Sequence, residues 1–136
     1  MGELKKGENP PQFEIHLIHV PKDGGDYPSP LVVIGILYSV KDACETNKGM
    51  QLCLCQDNDI DPLEFFPVEN DKPHITDWYH YEGSLTSFPF SENVSWFVMD
   101  KRGDVTAQEV DELTKRASQH AREIQPLARR LVVRSF

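Results

Sequence analysis

Two apolar stretches near the start of the chain limit the folds that it can adopt. Residues 13–20, FEIHLIHV, and residues 31–40, LVVIGILYSV, are rich in β-branched and aromatic side chains, which favours β-strands over helices. Between them lies PKDGGDYPSP, whose Gly, Pro and Asp residues are typical of turns. The second stretch is apolar almost throughout, which indicates burial on both faces, and Gly35 within it indicates a bulge or a close backbone approach. The sequence therefore predicts two strands in the interior of a sheet.

The remainder of the chain predicts further strands and one helix. The segments whose aromatic or β-branched content predicts a strand are residues 75–81 and 94–99. Residues 131–133 are predicted to form a short final strand or a tail. A helix is predicted over residues 106–124, because Thr106 and Glu109 have the spacing of a capping box. Apolar residues then recur on one helical face, namely Val110, Leu113, Ala117, Ala121 and Ile124. The pattern is that of a mainly β domain with one helix near the C-terminus.

The composition predicts one soluble domain. The 136 residues carry 14 basic and 22 acidic side chains, and the net charge of −8 argues against nucleic acid or an anionic membrane as the main partner. The longest apolar run, residues 31–38, is too short to cross a bilayer, and the first residues lack the apolar core of a signal peptide. Three cysteines are an odd number, so reduced thiols are expected. These features fit a reducing compartment, or an organelle lumen after loss of a targeting peptide, and leave the localisation open.

The first apolar stretch places a carboxylate beside an imidazole. Side chains alternate between faces along a strand, so Glu14, His16 and Ile18 point to one side and His19 to the other. A metal-bound histidine usually donates its second ring N–H to a carboxylate or carbonyl, which fixes the tautomer. The same spacing also occurs in an ordinary buried polar pair of a sheet. Both interpretations of Glu14 and His16 stay open at this point.

Several segments, in order along the chain, resemble the α-class carbonic anhydrases of eukaryotes. They are the Glu-x-His of FEIHLIHV, the apolar LVVIGILYSV, the segment YEGSLTSFPFSENVSW and the tail QPLARRLVVRSF. The resemblance extends from residue 13 to residue 136 and is weakest over residues 44–55. It implies a twisted, mostly antiparallel sheet with one C-terminal surface helix, and reversible hydration of CO2 to bicarbonate at a zinc ion. A small β-rich binding module unrelated to zinc is the alternative, and the joint occurrence of these motifs argues against it.

The resemblance also implies roles for individual residues. His16 would bind zinc, and Glu14 would accept a hydrogen bond from its other ring nitrogen. Thr86 would accept the proton of the hydroxide that attacks CO2, and Glu3, eleven residues before Glu14 as in the family, would orient Thr86. Ser87 and the backbone of Thr86 would contact bicarbonate. The apolar wall that holds CO2 would comprise Ile18, Val33, Leu85, Val94 and Trp96.

The zinc ligands are the point at which this sequence departs from the family. Three imidazoles are needed, and the family takes two of them from a His-x-His strand that precedes the Glu-x-His strand. The histidines here include no such pair and none before His16; they are His16, His19, His74, His80 and His120. We therefore expect residues 1–136 to form a single domain that lacks the N-terminal part of the family's domain. Zinc binding is expected to depend on ligands from another chain.

A partial sheet of this kind would expose an open strand edge and apolar side chains, so we expect a partner protein chain to complete it. Three explanations stay open. The chain is part of a split enzyme whose partner supplies two histidines, or a catalytically inactive subunit of a larger complex, or the product of an incomplete gene model. His19, which faces away from His16, is expected to be a hydrogen-bonded sheet histidine.

Overall fold

The computed structural model describes residues 10–22, 31–41, 61–115 and 122–136. Its strands, in chain order, are β1 Phe13–His19, β2 Leu31–Lys41, β3 Val68–Glu69, β4 Lys72–Pro73, β5 Trp78–Gly83, β6 Val94–Met99, β7 Gly103–Thr106 and β8 Val133–Arg134. Its helices are a short 3-10 helix, Pro62–Phe65, and α1, Ala107–Thr114. The two apolar stretches form β1 and β2, and within these ranges the fold is mainly β with one α-helix, as predicted. The prediction that both strands lie in the interior of the sheet holds for β2 and was wrong for β1, which is an edge strand among the described strands.

One six-stranded sheet joins strands from both ends of the chain. Its order is β1–β2–β6–β5–β8, and β7 also pairs with β2. The antiparallel pairs are β1 with β2, β5 with β6, and β5 with β8, whereas β2 runs parallel to β6 over residues 31–35 and parallel to β7 over residues 38–41. The sheet is therefore mixed, with a majority of antiparallel pairs. The hairpin of β3 and β4 forms a separate two-stranded sheet.

The central strand β2 is buried on both faces, as its continuous apolar sequence predicts. We call the side of the sheet that carries Val33 the site face, and the side that carries Ile36 the back face. The buried cluster on the site face consists of Leu31, Val33, Val94 and Trp96, with Tyr81, Leu85 and Val98 packed against it. The buried cluster on the back face consists of Ile36, Tyr38, Phe66, Met99 and Val105.

Tyr38 connects the back face to the 3-10 helix and to β7. Its side chain is buried, and its hydroxyl donates a hydrogen bond to the carbonyl oxygen of Phe65. Burial raises the pKa of Tyr38 above its ordinary value. Gly103 lies against its ring so closely that a Cβ at this position would be 2.4 Å from Cε1 of Tyr38. Glycine therefore allows β7 to approach β2 at this point.

Helix α1 begins at the predicted capping box. The side chain of Thr106 accepts a hydrogen bond from the amide of Glu109 at 3.2 Å, and the Glu109 carboxylate accepts one from the amide of Thr106 at 2.8 Å. The helix continues to Thr114 and its C-cap is Lys115, while residues 116–121, including the predicted face residues Ala117 and Ala121, lie outside the described ranges. No helix in the described ranges is both long and apolar enough to span a membrane.

The assignment of Ile124 to the helix was wrong. Ile124 lies in an irregular segment and 83% of its surface is exposed. Proline two residues later has no amide to donate, and it disfavours the helical conformation of Gln125. The chain therefore leaves the helical geometry before it reaches Pro126.

Candidate metal centre

Glu14 and His16 lie on the same side of β1 and contact each other. The Nε2 atom of His16 is 2.9 Å from Oε1 of Glu14. This hydrogen bond lowers the pKa of Glu14 below its ordinary value; burial opposes the shift and the charge of the imidazole adds to it. The carboxylate is therefore ionised at neutral pH and accepts the Nε2 proton. Nδ1 has no hydrogen-bond partner among the residues described, so its lone pair is available to a metal.

Trp96 positions the imidazole from two strands away. The rings of His16 and Trp96 meet edge to face, with centroids 4.7 Å apart, although β2 lies between their strands. The residue of β2 opposite His16 is Gly35, in an unbroken register, so the bulge, one of the two features predicted at Gly35, is absent. A Cβ at Gly35 would lie 3.6 Å from the indole. A methyl group at Gly35 would therefore be in ordinary van der Waals contact with the indole.

Most of the predicted pocket residues form one apolar wall on this face. Val33, Val94 and Trp96 are 1%, 0% and 5% exposed, and Leu85 packs against them. Ile18 lies on the same side of β1 as His16 but is 57% exposed. The structure thus brings four of the five predicted wall residues together and leaves Ile18 at the rim.

Trp96 also holds the loop that follows β5. Its indole Nε1 donates a hydrogen bond to the carbonyl oxygen of Ser84 at 3.0 Å. Arg122, from the C-terminal segment, donates to Oγ of Ser84 at 2.5 Å, and its guanidinium lies 4.6 Å from the ring centroid of Phe90. No local pattern predicts this role of Arg122, since 38 residues separate it from Ser84. The indole of Trp96 therefore contacts both His16 and the loop that follows β5.

The predicted polar residues of the site, Thr86 and Ser87, lie in this loop. Both are half-buried, and the carbonyl oxygen of Ser87 accepts a hydrogen bond from the amide of Phe90 at 2.8 Å. Within the described part of the chain, the hydroxyl of Thr86 has no hydrogen-bond partner. Glu3, the predicted partner of Thr86, lies outside the described residues.

His19 and His80 belong to the back face and do not join His16. Nδ1 of His19 is 3.1 Å from the carbonyl oxygen of Leu17, as expected of a sheet histidine. Nδ1 of His80 is 3.0 Å from the carbonyl oxygen of Trp96. Because alternate residues of a strand face opposite sides of the sheet, both imidazoles are separated from His16 by the sheet itself.

His74 is engaged by two carboxylates. Its Nδ1 lies 2.7 Å from Glu69 and its Nε2 lies 3.1 Å from Asp77, while His120 lies outside the described ranges. Throughout the part of the chain that the structure describes, no three His, Cys, Asp or Glu side chains are grouped to hold a metal. These residues offer zinc one well-oriented imidazole and do not by themselves fit a zinc site, which needs three protein ligands and an open position.

Comparisons with known proteins agree with the fold and the motifs. The family model of the eukaryotic-type carbonic anhydrases matches residues 7–136. A carbonic anhydrase of Nostoc sp. is 32% identical in an alignment of 134 residues. The alignment covers 91% of this chain and 46% of that protein. Alpha carbonic anhydrase 3 of Arabidopsis thaliana is also 32% identical in an alignment of 134 residues. The alignment covers 88% of this chain and 44% of that protein.

A solved structure is similar as well. The α-carbonic anhydrase of Thermovibrio ammonificans, in complex with the inhibitor sulfanilamide, superposes with a TM-score of 0.60 at 25% identity, covering 88% of this chain and 52% of that chain. This chain thus spans about half the length of the relatives that it matches. Together with the match to the family model, these similarities show that the chain belongs to the eukaryotic-type, α-class carbonic anhydrase family.

Proposed function

We propose that this chain forms part of a carbonic anhydrase site, to which it supplies one zinc ligand, His16, and the wall of the CO2 pocket. The observation that carries the proposal is the 2.9 Å hydrogen bond between His16 and Glu14, which leaves Nδ1 to face a metal. The described residues do not group three metal donors, and the sequence contains no His-x-His pair, so the two further imidazoles come from outside residues 1–136. The reaction is the reversible hydration of CO2 to bicarbonate.

This chain contributes to metal binding by orienting the imidazole of His16. Zinc, when bound, would supply an acidic water; in carbonic anhydrase itself, the zinc ion held by three imidazoles lowers the pKa of that water to about 7. Glu14 fixes the tautomer of His16, and the contact with Trp96 fixes the plane of its ring. A hydrogen bond of this kind raises the basicity of the ligand nitrogen and strengthens metal binding.

The apolar wall is suited to a substrate without charge. CO2 offers a protein little to bind except its shape, so its pocket needs an apolar lining from which water is excluded. Val33, Val94 and Trp96 form a closely packed apolar cluster beside His16, and water is excluded from it. Thr86 and Ser87 follow Leu85, which packs on that cluster. Ser87 and the backbone of Thr86 would contact the polar product, bicarbonate.

The test is reconstitution. This chain is co-expressed with the part of the Nostoc sp. carbonic anhydrase that it does not match, and zinc content and CO2 hydration are measured for the complex and for the isolated chain. We expect one zinc per complex with hydratase activity, and less than one zinc with negligible activity for the isolated chain. His16→Ala removes the zinc from the complex. Full zinc occupancy in the isolated chain, or a His16→Ala complex that keeps its zinc, contradicts the proposal.

A non-catalytic subunit is the second candidate, and the donor count favours it. The described residues provide one oriented imidazole and no group of three donors, and the hydrogen bond between a carboxylate and an imidazole within a sheet also forms without a metal. Under this alternative, the complex purified from its native source contains this chain and no zinc at His16. Replacing His16 by Gln then leaves the assembly of that complex unchanged.

A further inference from the structure

The loop that follows β5, residues 84–91, is contacted near both of its ends by one side chain from the C-terminal segment. Nη1 of Arg122 donates a hydrogen bond at 2.5 Å to the hydroxyl of Ser84, where the loop begins. The guanidinium of Arg122 also lies 4.6 Å from the ring centroid of Phe90, close to where the loop ends. Arg122 is half-buried, so solvent screens these contacts less than it would at an exposed position. One cation thus bridges the two ends of the loop.

Backbone hydrogen bonds close the same loop. The amide of Leu85 donates to the carbonyl oxygen of Ser91 at 2.9 Å, and the amide of Phe90 donates to the carbonyl oxygen of Ser87 at 2.8 Å. Thr86 lies between the residues that these bonds join. The position of Thr86 therefore depends on how firmly the two ends of the loop are held together.

The backbone of Phe90 adopts a conformation that needs support. Its φ angle is 59°, in the left-handed region that bulky side chains rarely adopt. Such a conformation persists only where the surrounding structure holds it. The ring of Phe90 meets the ring of Phe88 edge to face, but Phe88 is 86% exposed and is itself weakly held. The guanidinium of Arg122 therefore supplies a contact from outside the loop that Phe88 does not.

We infer that Arg122 is a positioning residue, which clasps the loop at Ser84 and Phe90 and so determines where Thr86 meets the substrate. This inference rests on the proposed function, in which Thr86 takes part in the reaction. A guanidinium suits the role, because it is planar and can donate a hydrogen bond while its face lies on an aromatic ring. Lysine keeps a charge and a donor but has no planar group to lie on the ring. Arg122 acts through the loop and not on the reacting atoms.

The first experiment measures amide hydrogen exchange of Leu85 and Phe90 in the full chain without zinc. We expect Arg122→Ala to speed exchange at both amides at least about tenfold, because the loop loses a hydrogen bond and a ring contact. Arg122→Lys is expected to have an intermediate effect. Arg134→Ala is the matched control: it removes a guanidinium that lies 5.3 Å from the ring centroid of Phe136, and it should leave both amides unchanged. Exchange of the β6 amides separates opening of the loop from a general loss of stability.

The second experiment measures CO2 hydration by the reconstituted complex. Arg122→Ala is expected to lower kcat per bound zinc by about 10- to 100-fold, since a small displacement of a reacting group has an effect of this size. KM should change little, because CO2 is held by the apolar wall, and Arg122→Lys should recover part of the rate. In a Thr86→Ala background, Arg122→Ala should lower kcat no further. A merely structural role would instead reduce the amount of folded, zinc-loaded complex and leave kcat per zinc unchanged.

The two measurements separate this inference from the proposed function. Equal exchange of Leu85 in the wild-type chain and Arg122→Ala overturns the clasp, whatever the activity. If the loop opens in Arg122→Ala while kcat per zinc stays at the wild-type value, the positioning role is wrong and the proposed zinc site stands. Additive losses from Arg122→Ala and Thr86→Ala also overturn a role that acts through Thr86. A wild-type complex without zinc or activity contradicts the proposed function and the positioning role with it, and exchange then still decides whether Arg122 holds the loop.

Discussion

The imidazole of His16 and the indole of Trp96 meet edge to face at a centroid separation of 4.7 Å, across a strand that carries Gly35 between them. The same indole donates its Nε1–H to the carbonyl oxygen of Ser84. One buried residue therefore sets both the plane of the candidate zinc ligand and the position of the loop that carries Thr86.

Replacing Trp96 by Phe tests this shared role. Phe keeps an aromatic ring and loses the donor to Ser84, so we expect a loss of about 1 kcal/mol in the free energy of unfolding from the missing hydrogen bond, with some further loss from the smaller ring. In the reconstituted complex, CO2 hydration falls while zinc content is unchanged. Urea unfolding, zinc quantification and hydration rates measure these effects. Trp78→Phe, on the back face, serves as the control, and equal rates for the two variants contradict the prediction.

Glu14 predicts a dependence of stability on pH. Its pKa in the folded chain lies below the ordinary value of 4.5, chiefly because of the hydrogen bond from His16. A group with a lowered folded pKa stabilises the fold above its unfolded pKa, and this stabilisation is lost as the pH falls through the folded pKa. The free energy of unfolding of the wild-type chain should therefore approach that of Glu14→Gln as the pH falls below 4.5. Because the Glu14 side chain is half exposed, the effect is small.

Urea unfolding at a series of pH values checks the prediction for Glu14. His16→Ala removes the partner and should give the same reduced pH dependence as Glu14→Gln, and the double variant should add nothing further. In the zinc complex, Glu14→Gln is expected to weaken zinc binding by about 10 to 100-fold. A difference between the wild-type chain and Glu14→Gln that grows towards low pH has the wrong sign and rejects this account.

Thr86→Ala addresses the proposed chemistry without touching the metal. Removing the hydroxyl is expected to lower the turnover of the reconstituted complex by about 100-fold, if its loss resembles that of other groups that stabilise a transition state. Zinc content stays the same, because Thr86 is not a ligand. Thr86→Ser keeps the hydroxyl and should recover much of the rate. A rate that Thr86→Ala leaves unchanged shows that Thr86 has no part in the reaction.

Gly103→Ala tests the contact between β7 and Tyr38. A Cβ there would come 2.4 Å from the Tyr38 ring, so the buried ring or the strand must move, at a cost of about 1–3 kcal/mol. Gly35→Ala is the matched control, because its Cβ would meet Val98 at an ordinary 3.5 Å. We expect that change to alter the free energy of unfolding by less than about 1 kcal/mol. Urea unfolding of both variants decides the matter, and equal stabilities contradict the structure.

The sequence could predict the elements whose signals are local. The β-branched and aromatic content of residues 13–20 and the continuous apolar run of residues 31–40 correctly predicted β1, β2 and the burial of both faces of β2. The capping box predicted the start of α1. The alternation of side chains along a strand placed Glu14 and His16 on one face. Each of these predictions could be made because it depends only on neighbouring residues.

Features that depend on distant residues could not be predicted in this way. Strand β7 has Gly and Asp in its four residues, which disfavour strands, and it is held by pairing with the end of β2. The link from Arg122 to Ser84, and the approach of His16 to Trp96 over Gly35, arise from tertiary packing. The prediction for Glu3 stays a prediction, because that residue lies outside the described ranges.

The parallel pairing of β2 with β6 has a consequence for the kinetics of folding. Leu31 pairs with Val94, so the centre of the sheet joins segments about 60 residues apart in sequence. Bringing such distant segments together closes a large loop, and the chain loses entropy before native contacts offset that loss. Folding is slow when such contacts dominate. During this delay the apolar runs of β1 and β2 are unprotected, so the yield of refolded protein should fall as its concentration rises.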